Sequence, residues 1–247
     1  MKKGRFAPSS SWRMHLGNII TALLAWLDVR SVGGVMVLRM EDLDPERCRE
    51  EYAAQFARDL EWLGLDWDEG YGSGGSNGFY RQSERSGINP DALDVLGRKG
   101  LVYPCWCSRA QRLAASAPHP GEDWGDGRCH CPRLSLDEQG ERPPSGPESR
   151  GTKQNHWFYR RASGYYEENL ADQCGDFIIR RSDGVCAYRL AVTVDDALIG
   201  ITRAVRAAIH SVPRRDRFGC INAWLILRPI IVIFPCFWQK TAGGCQK

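Results

Sequence analysis

The stretch that most limits how this chain can fold is "VMVLRM", residues 35–40, with Gly33-Gly34 before it and "EDLDPER" after it. It is apolar almost throughout, rich in valine and far too short to cross a membrane. Such a run suits a strand buried on both faces of a parallel sheet. The flanking segments fit that reading. "KGRFAPS" reads as a short strand leaving a polar loop. From His15 to about Val32, apolar residues recur at Leu16, Ile19, Ile20, Leu23, Leu24 and Leu27, the spacing of one helix face. Gly33-Gly34 stops that helix. In "DLDPER", Asp44 is placed to cap a second helix with Pro45 at its first position. Tyr52, Phe56, Leu60 and Leu63 form its apolar face. Strand, helix, strand, helix is the opening of a doubly wound α/β domain.

The chain of 247 residues can hold one large domain or a domain with an insertion. Its 43% hydrophobic and 26% charged content is that of a soluble globular protein, and a net charge of +3 is too small to imply nucleic-acid binding by itself. The basic start "MKKGRFAPSSSW" has no apolar run behind it, as a secretory signal would. "INAWLILRPIIVIFPCFW" is broken by Asn222, Arg228, Pro229 and Pro235, a poor membrane span. The expected location is the cytoplasm. In that compartment the 10 cysteines read as thiols or metal ligands.

Further along, "EGYGSGGSNG" reads as a flexible loop, and "ALDVLGRKGLVYPCWC" as a helix end, a glycine stop and a strand. Residues 108 to about 153 are rich in Pro, Gly, Ser and charge, an inserted lobe that needs its own staple. Cys105-x-Cys107 and Cys129-x-Cys131 offer four thiolates to one tetrahedral Zn²⁺, a structural site. "GDFIIRRSDGVCAYRLAVTVDD" resembles a hairpin with Asp183-Gly184 at its turn, followed by a helix from about Asp195.

"RFAPSSSWRMHLGN" raises a sharper possibility. A strand, a short polar loop and a helix start present unpaired N–H groups and the positive end of a helix dipole to an anion. His15 adds a donor for phosphate oxygens, Gly17 lets a nucleotide approach the backbone, and Asn18 completes the quartet. The bland alternative is that His15 is a polar residue at an ordinary helix start.

"GRFAPSSSWRMHLGN", "LRMEDLDPER", "DLEWLGLDWDEG", "GLVYPCWCSRA" and "GVCAYRLAVTVDDALIGITRAVRAA" together resemble the catalytic domain of glutamyl-tRNA synthetases. The resemblance covers most of residues 4 to 208, in the family's order, and is strongest to the short branch that acts on queuosine in tRNA(Asp). It implies a Rossmann-type class I synthetase fold with an inserted zinc-binding lobe. The implied divisions are 1–104, a first half-domain; 105–160, the zinc lobe; 161–214, a second, incomplete half-domain; and 215–247, an anomalous tail. It implies ATP-dependent activation of glutamate with Mg²⁺ to glutamyl-adenylate, then transfer to the queuosine base in the anticodon of tRNA(Asp) by a monomer. "HLGN" stands for the class I "HIGH" signature, which puts His15, Gly17 and Asn18 beside ATP. Arg5 and Ser9 match the glutamate-binding strand end, Glu41 the acid that holds the substrate ammonium, and Tyr188 and Arg206 two further glutamate contacts. A guanidinium fork at Arg5 suits a carboxylate. The family ligates zinc with Cys-x-Cys, a tyrosine and a third cysteine; here Trp124 falls near the tyrosine's place, which leaves Cys131 as first choice for the fourth ligand and His130 as second.

Two departures stand out. Where the family has Ser-Pro-Thr-Gly-Pro, this chain has Ser9-Ser10-Ser11-Trp12-Arg13, which sets an indole beside the expected ATP site. Beyond Arg214 the resemblance ends, and no "KMSKS" loop follows. Joining the last base of each codon to the first two of the next, "WQKTAGGCQK" can be read Ala-Glu-Asp-Gly-Gly-Arg-Leu-Ser-Lys, the family's sequence for that loop. A frameshift near residues 209–217 is expected, with a weakly active or inactive and poorly stable product; the alternative is a divergent tail whose agreement with the family is chance. The alternatives are a truncated glutamyl-tRNA synthetase, or a non-catalytic zinc-containing relic that binds RNA or a ligand.

Overall fold

A computed structural model describes residues 1–106, 146–149, 155–160, 164–169, 177–181, 184–208 and 230–235. Its main sheet has seven strands in the order β3-β2-β1-β9-β10-β6-β7. The strands are β1 (Lys3–Phe6), β2 (Val35–Leu38), β3 (Glu69–Gly70), β6 (Asn155–Arg160), β7 (Gly164–Asn169), β9 (Arg203–Ala208) and β10 (Ile230–Pro235). Every neighbouring pair is parallel except β6 with β7. Strands β4 (Val102–Cys105), β5 (Gly146–Ser149) and β8 (Phe177–Ile178) make a separate antiparallel sheet.

The valine-rich run is β2, buried at all four positions and flanked by β1 and β3, as a two-sided parallel strand requires. Helices α1 (Leu16–Arg30) and α2 (Glu50–Trp62) cover one face of the sheet, where Phe6, Met36, Leu38, Phe56 and Leu60 meet. The other face receives Val35, Val37, Ile199 and Ile201. Helix α3 (Asn89–Arg98) packs with α4 (Tyr188–Ile199) around Leu96, Ile179, Leu190 and Val194. Among the described residues no helix is long and apolar enough to cross a membrane.

Three local expectations are corrected. First, most of the predicted leucine face of α1 is not the packing face: Ala22, Ala25 and Val29 face the sheet with Leu24 partly packed beside them, while Leu16, Leu23 and Leu27 stay exposed. Small side chains let the helix come close, so close that a Cβ on Gly4 of β1 would collide with Val29. Second, Asp44 does not cap α2, whose N-cap is Arg49. Its carboxylate accepts from the Glu46 N–H, and its carbonyl from those of Arg47 and Cys48, closing a separate turn. Third, α4 begins at Tyr188, well before Asp195. Arg181, Gly184 and Val185 do make a tight turn with an Arg180–Cys186 bridge, but the valine-rich run after it is helical. Its buried residues run without a break from Leu190 to Asp196 and resume at Ile199, so the helix is enclosed on most sides, and Gly200 ends it in the left-handed conformation, φ 78°. Tertiary burial outweighs the strand preference of valine.

Residues 107–145 fall outside the described residues, and with them Cys107, Cys129, His130 and Cys131. So does the tail from 215 onward apart from β10.

Candidate functional site

In an open parallel sheet, ligands bind beyond the carboxyl ends of the strands, where the strand order reverses. Here the chain runs from β1 outward to β2 and β3 on one side, and β9 and β10 lie on the other, so the reversal falls between β1 and β9. The sequence candidates gather at that edge. Arg5 is the next-to-last residue of β1, and Ser9, just past the strand, forms a parallel bridge with Glu41, just past β2. The Glu41 N–H donates to the Pro8 carbonyl at 2.9 Å, which locks the two strand ends together. Arg206 lies in β9, in register with Ile233 of β10. Tyr188 opens α4 and is partly exposed. The turn at Gly200 sends α4 back into β9, so the Tyr188 end of the helix points to the carboxyl edge.

The loop between Ser9 and α1 is held from several directions. Ser10 is fully buried, and its carbonyl accepts from the Arg49 N–H at 3.1 Å. His15 is the N-cap of α1: its Nδ1 accepts from the Gly17 N–H at 3.0 Å, and the Asn18 side chain accepts from the His15 N–H at 3.1 Å. This is a capping box with His and Asn in place of the usual hydroxyl and carboxylate. A nitrogen that accepts carries no proton, so in the neutral ring the proton sits on Nε2, a donor turned away from the cap. The bland and the chemical readings of His15 are thus compatible. Trp12 is 72% exposed and leans on Tyr52 of α2, ring centroids 6.3 Å apart.

Beneath the strand ends lies a buried ionic cluster that the sequence reading missed. Arg5 donates from Nε and Nη2 to the two carboxylate oxygens of Asp196, each at 3.0 Å. Arg39 donates from Nη1 to Asp196 at 2.7 Å and from Nη2 to Glu41 at 3.2 Å. All four side chains are at most 8% exposed. Beside them Asp195 accepts from Arg85 at 2.6 Å and from Gln82 at 2.9 Å. Burial works against the charged forms of Arg5 and Arg39, yet the carboxylates more than offset it, and both guanidinium groups are held more firmly protonated than usual. The signal was legible in principle: an arginine inside "VLRM" and paired acids after "VTV" are charges in buried strings, which require partners.

Of the predicted zinc ligands, Cys105 is described: it ends β4 and is fully buried. Among the described residues, no group of three or more potential metal ligands comes together.

A mainly parallel sheet covered by helices, with its strand order reversing between β1 and β9, defines a Rossmann-type α/β domain. A family profile described as "tRNA synthetases class I (E and Q), catalytic domain" matches residues 3–117. The chain is 45% identical over 215 residues to the Glutamyl-Q tRNA(Asp) synthetase of Nitratidesulfovibrio vulgaris, covering 84% of this chain and 66% of that protein. It is 45% identical over 219 residues to the protein of that name from Symbiobacterium thermophilum, covering 86% and 68%. A Glutamate--tRNA ligase 2 of Acidithiobacillus ferrooxidans is 39% identical over 221 residues, covering 84% of this chain and 44% of that protein. The crystal structure of a glutamate tRNA ligase from Elizabethkingia meningosepticum, in complex with its amino acid, superposes with a TM-score of 0.78 at 21% identity, covering 100% of this chain and 51% of that one. That last likeness concerns the fold alone. The chain belongs to the class I tRNA synthetase family specific for glutamate and glutamine, and it spans about two thirds of the length of the first two relatives.

Proposed function

We propose that this site activates glutamate with ATP and passes the glutamyl group to the queuosine base of tRNA(Asp). The observation that carries the reading is the meeting of Arg5, Ser9 and Glu41 at the switch point, one loop away from the His15 helix start. Identity of 45% to proteins named Glutamyl-Q tRNA(Asp) synthetase supports the choice of acceptor.

The chemistry asks for little proton transfer. The substrate carboxylate has to be held against the α-phosphate, and negative charge on the departing pyrophosphate has to be stabilised. Arg5 offers its Nη1 edge to a carboxylate, the edge outside its pair with Asp196. Glu41 has one carboxylate oxygen on Arg39 and a second for an ammonium group. Tyr188 and Arg206 are assigned further contacts with glutamate. The N–H groups at the start of α1, with His15 Nε2 and the close backbone approach at Gly17, receive the phosphates, which Mg²⁺ accompanies. The test is glutamate-dependent exchange of pyrophosphate into ATP, followed by glutamate transfer to queuosine-containing tRNA(Asp) and to tRNA(Glu). Exchange is expected to be weak, in line with the tail beyond Arg214, with transfer only to tRNA(Asp). Transfer to tRNA(Glu) instead supports a glutamyl-tRNA synthetase, and no exchange alongside retained ligand binding supports a relic.

Zinc belongs to the same proposal. The donor set Cys105, Cys107, Cys129 and Cys131 is all thiolate, which fits Zn²⁺, and the buried position of Cys105 at the end of β4 anchors the first ligand in folded structure. The ion would staple the 105–160 lobe and take no part in the reaction. One zinc per chain is expected by elemental analysis, and its removal by a chelator is expected to lower the thermal midpoint. A metal-free chain of equal stability would overturn this assignment.

A further inference from the structure

We propose that Asp196 is the positioning residue of the glutamate site, setting Arg5 and, through Arg39, Glu41. The proposal rests on the glutamate reading given above. Four side chains form one continuous chain of contacts, Arg5–Asp196–Arg39–Glu41, with Asp196 on α4 and the other three at the ends of β1 and β2. Asp196 Oδ1 accepts from both arginines, at 3.0 Å from Arg5 and 2.7 Å from Arg39, while Oδ2 accepts only from Arg5 among these contacts. The bidentate clamp fixes the plane of the Arg5 guanidinium, so the direction in which Nη1 points is set by Asp196 and not by the rotamers of a long side chain. The same carboxylate separates two like charges. Without it, Arg5 and Arg39 would repel in a buried setting, and the nearest remaining acid for Arg5 would be Glu41, the group assigned to the substrate ammonium.

A purely structural ion pair looks different. Arg203 and Asp28 match fork to fork at 2.6 and 2.6 Å. In the cluster at the strand ends, by contrast, Arg39 is divided between two carboxylates, and its buried Nε has no hydrogen-bond partner among the described residues. The neighbouring acid provides an internal control. Asp195 is equally buried and lies close enough to help hold the charge of Arg39, but its hydrogen bonds go to Arg85 and Gln82, not to Arg5 or Arg39. Two adjacent aspartates on one helix thus divide the work: Asp195 ties the segment around Gln82 and Arg85 to α4, and Asp196 orients the binding groups.

The experiment measures L-glutamate and ATP affinities of the full chain by calorimetry, with thermal midpoints, for wild type, Asp196→Asn and Asp195→Asn. Asp196→Asn is expected to weaken glutamate binding on the order of 10- to 100-fold, the effect of losing one charge-assisted hydrogen bond. ATP affinity should stay within about twofold of wild type. Asp195→Asn should lower the thermal midpoint while leaving glutamate affinity near wild type. Equal glutamate affinities in wild type and Asp196→Asn overturn the proposal, as does an equal loss in both variants. Should Asp196→Asn fail to fold, Asp196→Glu keeps the charge and shifts the clamp by one methylene. Weakened glutamate binding with normal ATP binding then supports the role, and unchanged binding overturns it. A wild type that binds no glutamate removes the glutamate reading and this inference together. A wild type that binds glutamate regardless of residue 196 removes the inference alone.

Discussion

The two edges of the main sheet handle buried charge in opposite ways. At the amino edge, Arg203 at the start of β9 meets Asp28 near the end of α1 with both forks matched, and the Lys3 N–H donates to the Thr202 hydroxyl at 2.9 Å. At the carboxyl edge, the buried Ser10 Oγ, Arg39 Nε and Gln82 Oε1 have no hydrogen-bond partner among the described residues. A buried polar atom without a partner costs about 1–3 kcal/mol, so a sheet that closes one edge completely does not lack the means to close the other. The difference separates work for the fold from work for a ligand. Among the described residues the amino edge leaves no buried polar side-chain atom unpaired, and the carboxyl edge carries polar capacity that they do not use.

That contrast can be broken by substitution. The largest expected effect is at the amino edge: Asp28→Ala leaves the Arg203 guanidinium buried without its partner and should cost about 3–5 kcal/mol of stability. Urea unfolding reads this directly. Glutamate and ATP affinities of the folded fraction should stay near wild type, and a selective loss of ligand binding would erase the distinction between the edges. Next in size is Gly4→Ala, which drives a methyl group into Val29 and forces α1 away from β1. Overpacking of this kind costs about 1–3 kcal/mol, and Val29→Ala in the same chain should recover part of it.

How far the sequence reveals these features depends on the kind of residue that reports them. Strand β2 was legible because burial on both faces leaves an apolar string with no competing period, whereas β1, with Lys3, Gly4 and Arg5 in it, was legible only from its place before the polar loop. The loop and helix start at His15 were legible because chain order fixes them. The packing face of α1 was not, because counting leucines favours the exposed stripe of Leu16, Leu23 and Leu27, whereas close approach to Gly4 selects Ala22, Ala25 and Val29. The cap of α2 was misplaced because Asp44-Pro45 serves a turn as well as it serves a helix. At the site, Arg5, Ser9 and Glu41 were named by resemblance, but Asp196 lies far from Arg5 and Arg39 in sequence, and only the fold brings both arginines to its carboxylate.

Smaller effects sharpen the comparison at the two helix and strand starts. His15→Ala removes the acceptor for the Gly17 N–H and half of the capping box, about 1 kcal/mol of stability. A similar loss follows from Asn18→Ala, which removes the reciprocal bond. Only His15→Ala also removes Nε2, so ATP affinity should fall further in that variant than in Asn18→Ala. Equal ATP affinities would reduce His15 to a cap.

The smallest effect concerns pH and returns to the amino edge, where Lys3 reaches across β2 to Glu69 with both carboxylate oxygens 2.9 Å from its Nζ. Burial alone would raise the pKa of Glu69, but hydrogen bonds from Lys3 and Tyr80 outweigh it and hold the carboxyl below its ordinary 4.5. A depressed carboxylate binds fewer protons folded than unfolded, so its stabilising contribution is complete above the ordinary value and drains away as pH falls through the folded one. Thermal midpoints measured between about pH 3 and 7 should therefore show wild type and Glu69→Gln converging on the acid side and separating toward neutrality. Separation that widens toward acid would mean that Glu69 is easier to protonate in the folded chain than in the unfolded one, contrary to its pairing with Lys3.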